Sequence, residues 1–162
     1  MVRRSTDPDL TAFDKKVLPS LEEWGWYVIS VADEPPFSYS IGLFEHFGHP
    51  EIIMFGLDSK RSHGIINDAG RRIREGHKYT AGGRYSDLLK DYVCEFRLVN
   101  RTRYDGYLNY ALHYYRGSTF PAMQLIWPDK QGRFPWDSSF EERFKADQPL
   151  LTEPKGHDAI RQ

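Results

Sequence analysis

Three groups of residues in this chain have types and spacings that could do chemistry. His46, His49 and Glu51 fall within six residues of one another. Two histidines three apart, with Glu51 or a more distant carboxylate, could hold a divalent metal. The plainer reading is that they are loop histidines, one of them ordering the Gly48–Pro50 turn. The second group is the run Gln124-Leu125-Ile126-Trp127-Pro128-Asp129-Lys130-Gln131-Gly132-Arg133-Phe134-Pro135-Trp136. Trp127, Trp136 and Arg133 could stack on a flat ligand or hold an anion. Alternatively the aromatics plug one end of the core and Arg133 pairs with Asp129. The third group is Phe37-Ser38-Tyr39-Ser40-Ile41-Gly42-Leu43. Its alternation puts Phe37, Tyr39, Ile41 and Leu43 on one face and Ser38, Ser40 and Gly42 on the other. A face of small groups lets a ligand, or a helix, approach the backbone closely.

Several known chemistries are excluded. Neither a Gly-x-Gly-x-x-Gly after a strand nor a Gly-x-x-x-x-Gly-Lys is present, so dinucleotide-binding and P-loop readings fail. His-Glu-x-x-His and Gly-x-Ser-x-Gly are absent as well. His49-Pro50-Glu51 has the His-x-Glu spacing of zinc deaminases, but those also need a Pro-Cys-x-x-Cys pair and this chain has one cysteine. Trp127-Pro128-Asp129 is similar to the general-acid loop of tyrosine phosphatases. That chemistry needs an arginine where Asn100 follows Cys94, and Arg101 comes one place late. Cys94 itself lies in a strand-like run and reads as a buried, inert thiol.

The elements that must position these groups follow from periodicity. A helix is expected from about Asp9 to Trp24, with Phe13, Val17, Leu18 and Leu21 inward, Pro19 inside it and Gly25 as its stop. Trp26–Ala32 and Phe37–Leu43 read as strands, Glu45–Pro50 as a loop, and Ile52–Phe55 as a central strand covered on both faces. A helix capped by Asp58 or Ser59 and ended by Gly76 should turn Ile65, Ile66, Ala69 and Ile73 inward. His77–Arg84 is a short strand or an irregular segment. Tyr92–Val99 and Phe120–Trp127 are strands, 102–116 a helix, and Ser139–Ala146 a short helix. The order implies an α+β fold: a mainly antiparallel, curved sheet or half-open barrel with three main helices packed against it. Residues 1–151 form one domain and 152–162 a disordered tail.

Composition narrows the class further. The 162 residues are 40% hydrophobic and 15% aromatic, with a formal net charge of -1. That balance disfavours nucleic acid as the partner. The charge is uneven: Asp58 to Arg103 holds eleven Lys/Arg against six Asp/Glu, which makes either an anion-attracting patch or a solvated helix face. One cysteine excludes an internal disulfide scaffold, and no apolar run fits a membrane span or a signal peptide, so a cytoplasmic protein is expected.

Three blocks together carry a resemblance. They are Pro36-Phe37-x-Tyr39-x-Ile41-Gly42-Leu43, Phe47-Gly48-His49-Pro50-Glu51, and Gln124-Leu125-x-Trp127-Pro128-Asp129-x-x-Gly132-x-Phe134-Pro135-Trp136. Over roughly Glu22 to Trp136 the chain resembles the bacterial family catalogued as domain of unknown function 4262. The resemblance implies a bacterial cytoplasmic protein and brings no catalytic residues. At the level of fold the chain is also similar to split-barrel proteins of the flavin-reductase type, without a clear phosphate-binding loop.

The expectation is a small-molecule or anion-binding domain, with a flavin or a nucleotide as the cofactor class. Its hollow would form where the Phe37–Leu43 strand, the His46–His49 loop and the Trp127–Trp136 loop meet. The candidate binding residues are Tyr39, Ser40, Gly42, His46, His49, Trp127, Asp129, Arg133 and Trp136, and no catalytic residue or metal set is assigned. A protein-interaction module, such as an immunity or adaptor protein, is the second reading. A metal-dependent hydrolase using His46 and His49 is the third. Enzymatic activity, ligand identity and oligomeric state stay open at this level.

Overall fold

A computed structural model describes residues 2–154 of the chain. Helix α1 (Ala12–Trp24) begins at a capping box. The Thr11 hydroxyl accepts from the Asp14 amide, and the Asp14 carboxylate accepts from the Thr11 amide. That box moves the start of the helix from the expected Asp9 to Ala12. Pro19 is tolerated inside it, and Gly25 ends it in the left-handed conformation.

The strands are β1 (Tyr27–Val31), β2 (Phe37–Ile41), β3 (Glu51–Phe55), β4 (Arg84–Leu89), β5 (Tyr92–Leu98) and β6 (Ala122–Ile126). They form one sheet in the order β1-β2-β3-β6-β5-β4. Every pairing is antiparallel except the central one: β3 and β6 run parallel, with Glu51 opposite Ala122 and Ile53 opposite Gln124. The sheet does not close; β1 and β4 are its two edges. The fold is therefore α+β with an open, mixed and mainly antiparallel six-stranded sheet.

Helices cover both faces, because side chains alternate along each strand. Ile53 and Phe55 of β3 pack with Val17, Leu18 and Leu21 of α1 and with Ala111, Tyr114 and Tyr115 of α4 (Asn109–Tyr115). Ile52 and Met54 point the other way, to Ile66, Ala69 and Ile73 of α3 (Ser59–Arg74). The apolar run of β3 is buried on both sides, as its sequence requires. The small-residue face of β2 receives α3: the Ser38 hydroxyl lies 2.7 Å from that of Ser62 and 2.9 Å from that of Ser30.

Four local expectations change. Leu43 leaves the strand and opens a short helix, α2 (Leu43–Phe47), inside the expected loop. The helix expected over 102–116 splits into a 3-10 turn (Arg101–Arg103) and α4, with Gly106 between them in the left-handed region. β4 follows the irregular His77–Gly83 stretch and pairs with β5 as a hairpin. The helix expected at Ser139–Ala146 is a 3-10 segment, Glu142–Asp147. The expected tail lies outside the described residues from position 155 onward. Among the described residues no helix is long and apolar enough to cross a membrane.

Gly42 is the tightest point of the fold. Its φ is +104°, and a Cβ there would sit 2.4 Å from the Gly25 carbonyl oxygen. Backbone strain and overlap act together at this position. Gly42→Ala should therefore cost about 3 kcal/mol or more, measured as a shift of the urea midpoint. A loss under about 1 kcal/mol would mean that the turn relaxes freely.

Candidate functional site

Glu51, the first residue of β3, is fully buried. Its carboxylate collects five donors. Oε1 accepts from the Ser40 hydroxyl at 2.7 Å and the Leu43 amide at 3.2 Å. Oε2 accepts from the Gly42 amide at 3.0 Å, the Phe44 amide at 3.2 Å and the Tyr115 hydroxyl. Ser40 in turn accepts from the Ile52 amide. The first amides of a helix lack intrahelical partners, and Gly42 has no side chain to cap α2. Glu51 performs that capping from the next strand. It also pulls Tyr115 of α4 onto the same point. Burial pushes its pKa up to about 7, against the pull of Tyr115, Ser40 and the backbone donors.

A second buried carboxylate, Asp14, ties α1 to α4 by accepting from the Tyr110 hydroxyl and from His113 Nε2 at 3.0 Å. Burial alone would raise its pKa. The hydrogen bonds of Tyr110, the Thr11 amide and His113 hold it down at about 2.

His49 is buried two residues before Glu51. Its Nδ1 lies 2.8 Å from the Pro50 carbonyl oxygen, which can only accept. Its Nε2 lies 3.1 Å from the Tyr79 amide, which can only donate. The ring is therefore the neutral Nδ1–H tautomer with both nitrogens in use. Burial lowers its pKa further. His46 turns elsewhere, with Nδ1 2.8 Å from the Gly25 carbonyl oxygen and Nε2 3.4 Å from Glu45. The two histidines fasten different segments and do not converge. Among the described residues no three His, Cys, Asp or Glu side chains gather as a metal site.

By holding Tyr79, His49 builds one wall of a cavity of about 370 Å³. Buried Ile73, Tyr79, Met123 and His49 form its floor. Half-buried Phe47 and Pro50 line the side. The exposed rim carries His77, Lys78 and Leu98. The Phe47-Gly48-His49-Pro50 turn lines this cavity. Sequence reasoning did not find the other half, because Lys78, Tyr79, Leu98 and Met123 come from distant segments with no shared pattern.

The remaining candidates fall into place separately. Tyr39 is core, and its hydroxyl accepts from the Tyr110 amide. Ser40 and Gly42 serve the Glu51 hub. Trp127 donates from its indole nitrogen to the Phe55 carbonyl at 2.8 Å. Asp129 pairs with Arg133 at 2.8 Å, as the plainer reading anticipated. Trp136 stacks on Phe134 with the Arg97 guanidinium 3.4 Å from its ring centre, and Glu95 holds Arg97 and Arg84 together. These cations and rings satisfy one another across β5.

The Gly42 end of β2 and the tryptophan loop do not come together among the described residues. Because β6 runs parallel to β3, the chain leaves β6 at the Phe55 end, whereas Gly42 and Glu51 mark the other end. The two ends of a five-residue strand are roughly 13 Å apart. Cys94 is buried, and burial pushes its thiol up to about 12, consistent with an inert core residue.

Fold and site together define an α+β protein whose open sheet is held by a buried acidic hub beside a small apolar cavity. The chain belongs to the family described as Domain of unknown function (DUF4262), whose model matches residues 20–141. No curated protein and no solved structure matches it.

The two buried groups leave opposite signatures in pH. Glu51 has a raised pKa, so its contribution to stability is full below its ordinary value of 4.5 and is lost as pH rises through about 7. His49 has a lowered pKa, so its contribution is full above 6.5 and is lost as pH falls. In wild type these slopes oppose between about pH 5 and 6.5. In His49→Gln the melting temperature should fall steadily from about pH 5 to about pH 7 as only the Glu51 slope survives. A flat profile in that variant would show that Glu51 ionises like an exposed carboxyl. Glu51→Ala strands five donors and should cost on the order of 4 kcal/mol in chemical denaturation.

Proposed function

We propose that this protein is a small-molecule-binding domain that takes an amphipathic anion into the cavity beside His49. The observation that carries the reading is the cavity's division of chemistry. Ile73 and Met123 on the floor and Phe47 and Pro50 on the side suit an apolar body. Lys78 on the exposed rim has no carboxylate partner among the described residues and suits an acidic head. A volume of about 370 Å³ lies within the range of small-molecule sites. His49 and Tyr79 give the wall its rigidity, since each is fixed by hydrogen bonds before any ligand arrives. Lys78 belongs to the basic middle of the sequence, Asp58 to Arg103, which supports an anionic ligand.

Octanoate and octan-1-ol are suitable probes because they share the chain and differ in charge. Octanoate at about ten times its Kd should raise the melting temperature by about 3–5 °C, while octan-1-ol gives a smaller shift. Lys78→Glu should abolish the difference, and Leu98→Glu, on the exposed rim, should weaken binding without unfolding the chain. Failure of octanoate and of a panel of aryl carboxylates and phosphates to shift the wild-type melting temperature would overturn the reading.

A further inference from the structure

A second recess lies where the end of α1 meets β1 and α3. Its volume is about 340 Å³. Trp24, the last residue of α1, presents a half-exposed indole there. Trp26 lies deeper, and α3 fits over it only because residue 70 is glycine: a Cβ there would stand 2.5 Å from the indole. The Trp26 indole N–H donates to Asn67 Oδ1 at 2.9 Å. That fixes the Asn67 amide, whose NH2 has no acceptor among the described residues.

Arg74 completes the recess. Its guanidinium carbon is 5.3 Å from the Trp26 ring centre and 6.0 Å from that of Trp24. It has no carboxylate partner among the described residues. Arg71, nearby, is already engaged by Asp68, and His63 lies exposed on the same lining. Four features therefore meet in one concavity: an exposed aromatic face, a guanidinium without a counter-ion, an oriented amide donor and a histidine. An aromatic face stacks on flat rings, a guanidinium takes a phosphate or carboxylate in a forked pair, and a fixed amide supplies direction.

We propose that this recess is a binding site for a planar aromatic anion, with its ring on Trp24 and its acidic group on Arg74. The site shares no lining residue with the His49 cavity, so it stands or falls independently of that reading. Isothermal titration with flavin mononucleotide and adenosine monophosphate, against riboflavin and adenosine, separates ring from charge. At least one phosphate-bearing probe should bind saturably below about 1 mM, and its neutral counterpart about tenfold more weakly. Arg74→Ala should bring the two to the same affinity, and Trp24→Ala should weaken both; both residues are exposed, so neither change disturbs the core. Saturating octanoate should leave this binding unchanged. The proposal is overturned if neither nucleotide saturates, if charged and neutral probes bind alike to wild type, if Arg74→Ala has no effect, or if octanoate displaces the nucleotide.

Discussion

One buried carboxylate organises this fold. Glu51 has no access to water, and a charge in that position is tolerable only because five donors surround it. Those donors come from the end of β2, the first turn of α2 and the last turn of α4. Without the carboxylate the three amides would be left unpaired, and the Ser40 and Tyr115 hydroxyls would lose the acceptor of their protons. The constraint is mutual: the turn at Gly42 brings the amides to Glu51, and Glu51 holds the turn in a conformation that only glycine adopts cheaply. Asp14 repeats the arrangement on the far side of α4, gathering Tyr110 and His113. Helix α4 is thus held by acidic groups from three elements distant from it in sequence, Asp14 of α1, Glu45 of α2 through the Tyr114 hydroxyl, and Glu51 of β3.

His49 extends the same logic toward the cavity. A histidine with both nitrogens committed to backbone groups acts as a rigid cross-brace and not as an acid or base. The spacing His46-x-x-His49 invites a metal reading, but spacing cannot say where each ring points. In a short helix followed by a turn, the two side chains leave the backbone in different directions. His46 braces the α1–β1 junction at Gly25, and His49 braces the segment before β4.

Much of the architecture was legible from local pattern. The continuous apolar run of β3 announced burial on both faces, and the small residues of β2 announced a close neighbour, which is α3. Helix α3, with Asp58 as its cap and its Ile66–Ala69–Ile73 stripe, follows the sequence closely. What local pattern could not supply was direction across the centre of the sheet. An antiparallel β6 would have delivered the Trp127–Trp136 loop to the Glu51 end of β3; the parallel pairing delivers it to the opposite end. The strand β4 was hidden because half of its residues are exposed and most are polar, so that an edge strand reads as a loop. The helix over 102–116 looked continuous because its apolar spacing runs across Asp105-Gly106, where the backbone in fact turns.

The parallel pair at the centre of the sheet also bears on how the chain reaches its native state. β1, β2 and β3 are consecutive neighbours joined by short connections, so they can assemble early from local encounters. β6 must then find β3 across the 71 positions separating Glu51 from Ala122. Closing so large a loop is entropically unfavourable before any contact compensates. Docking of β6 also completes both cores, since Ala122 enters one and Met123 and Leu125 the other. β6 is therefore the keystone of assembly: until it is seated, the hydrogen-bonding edge of β3 that it covers stays open to the wrong partner.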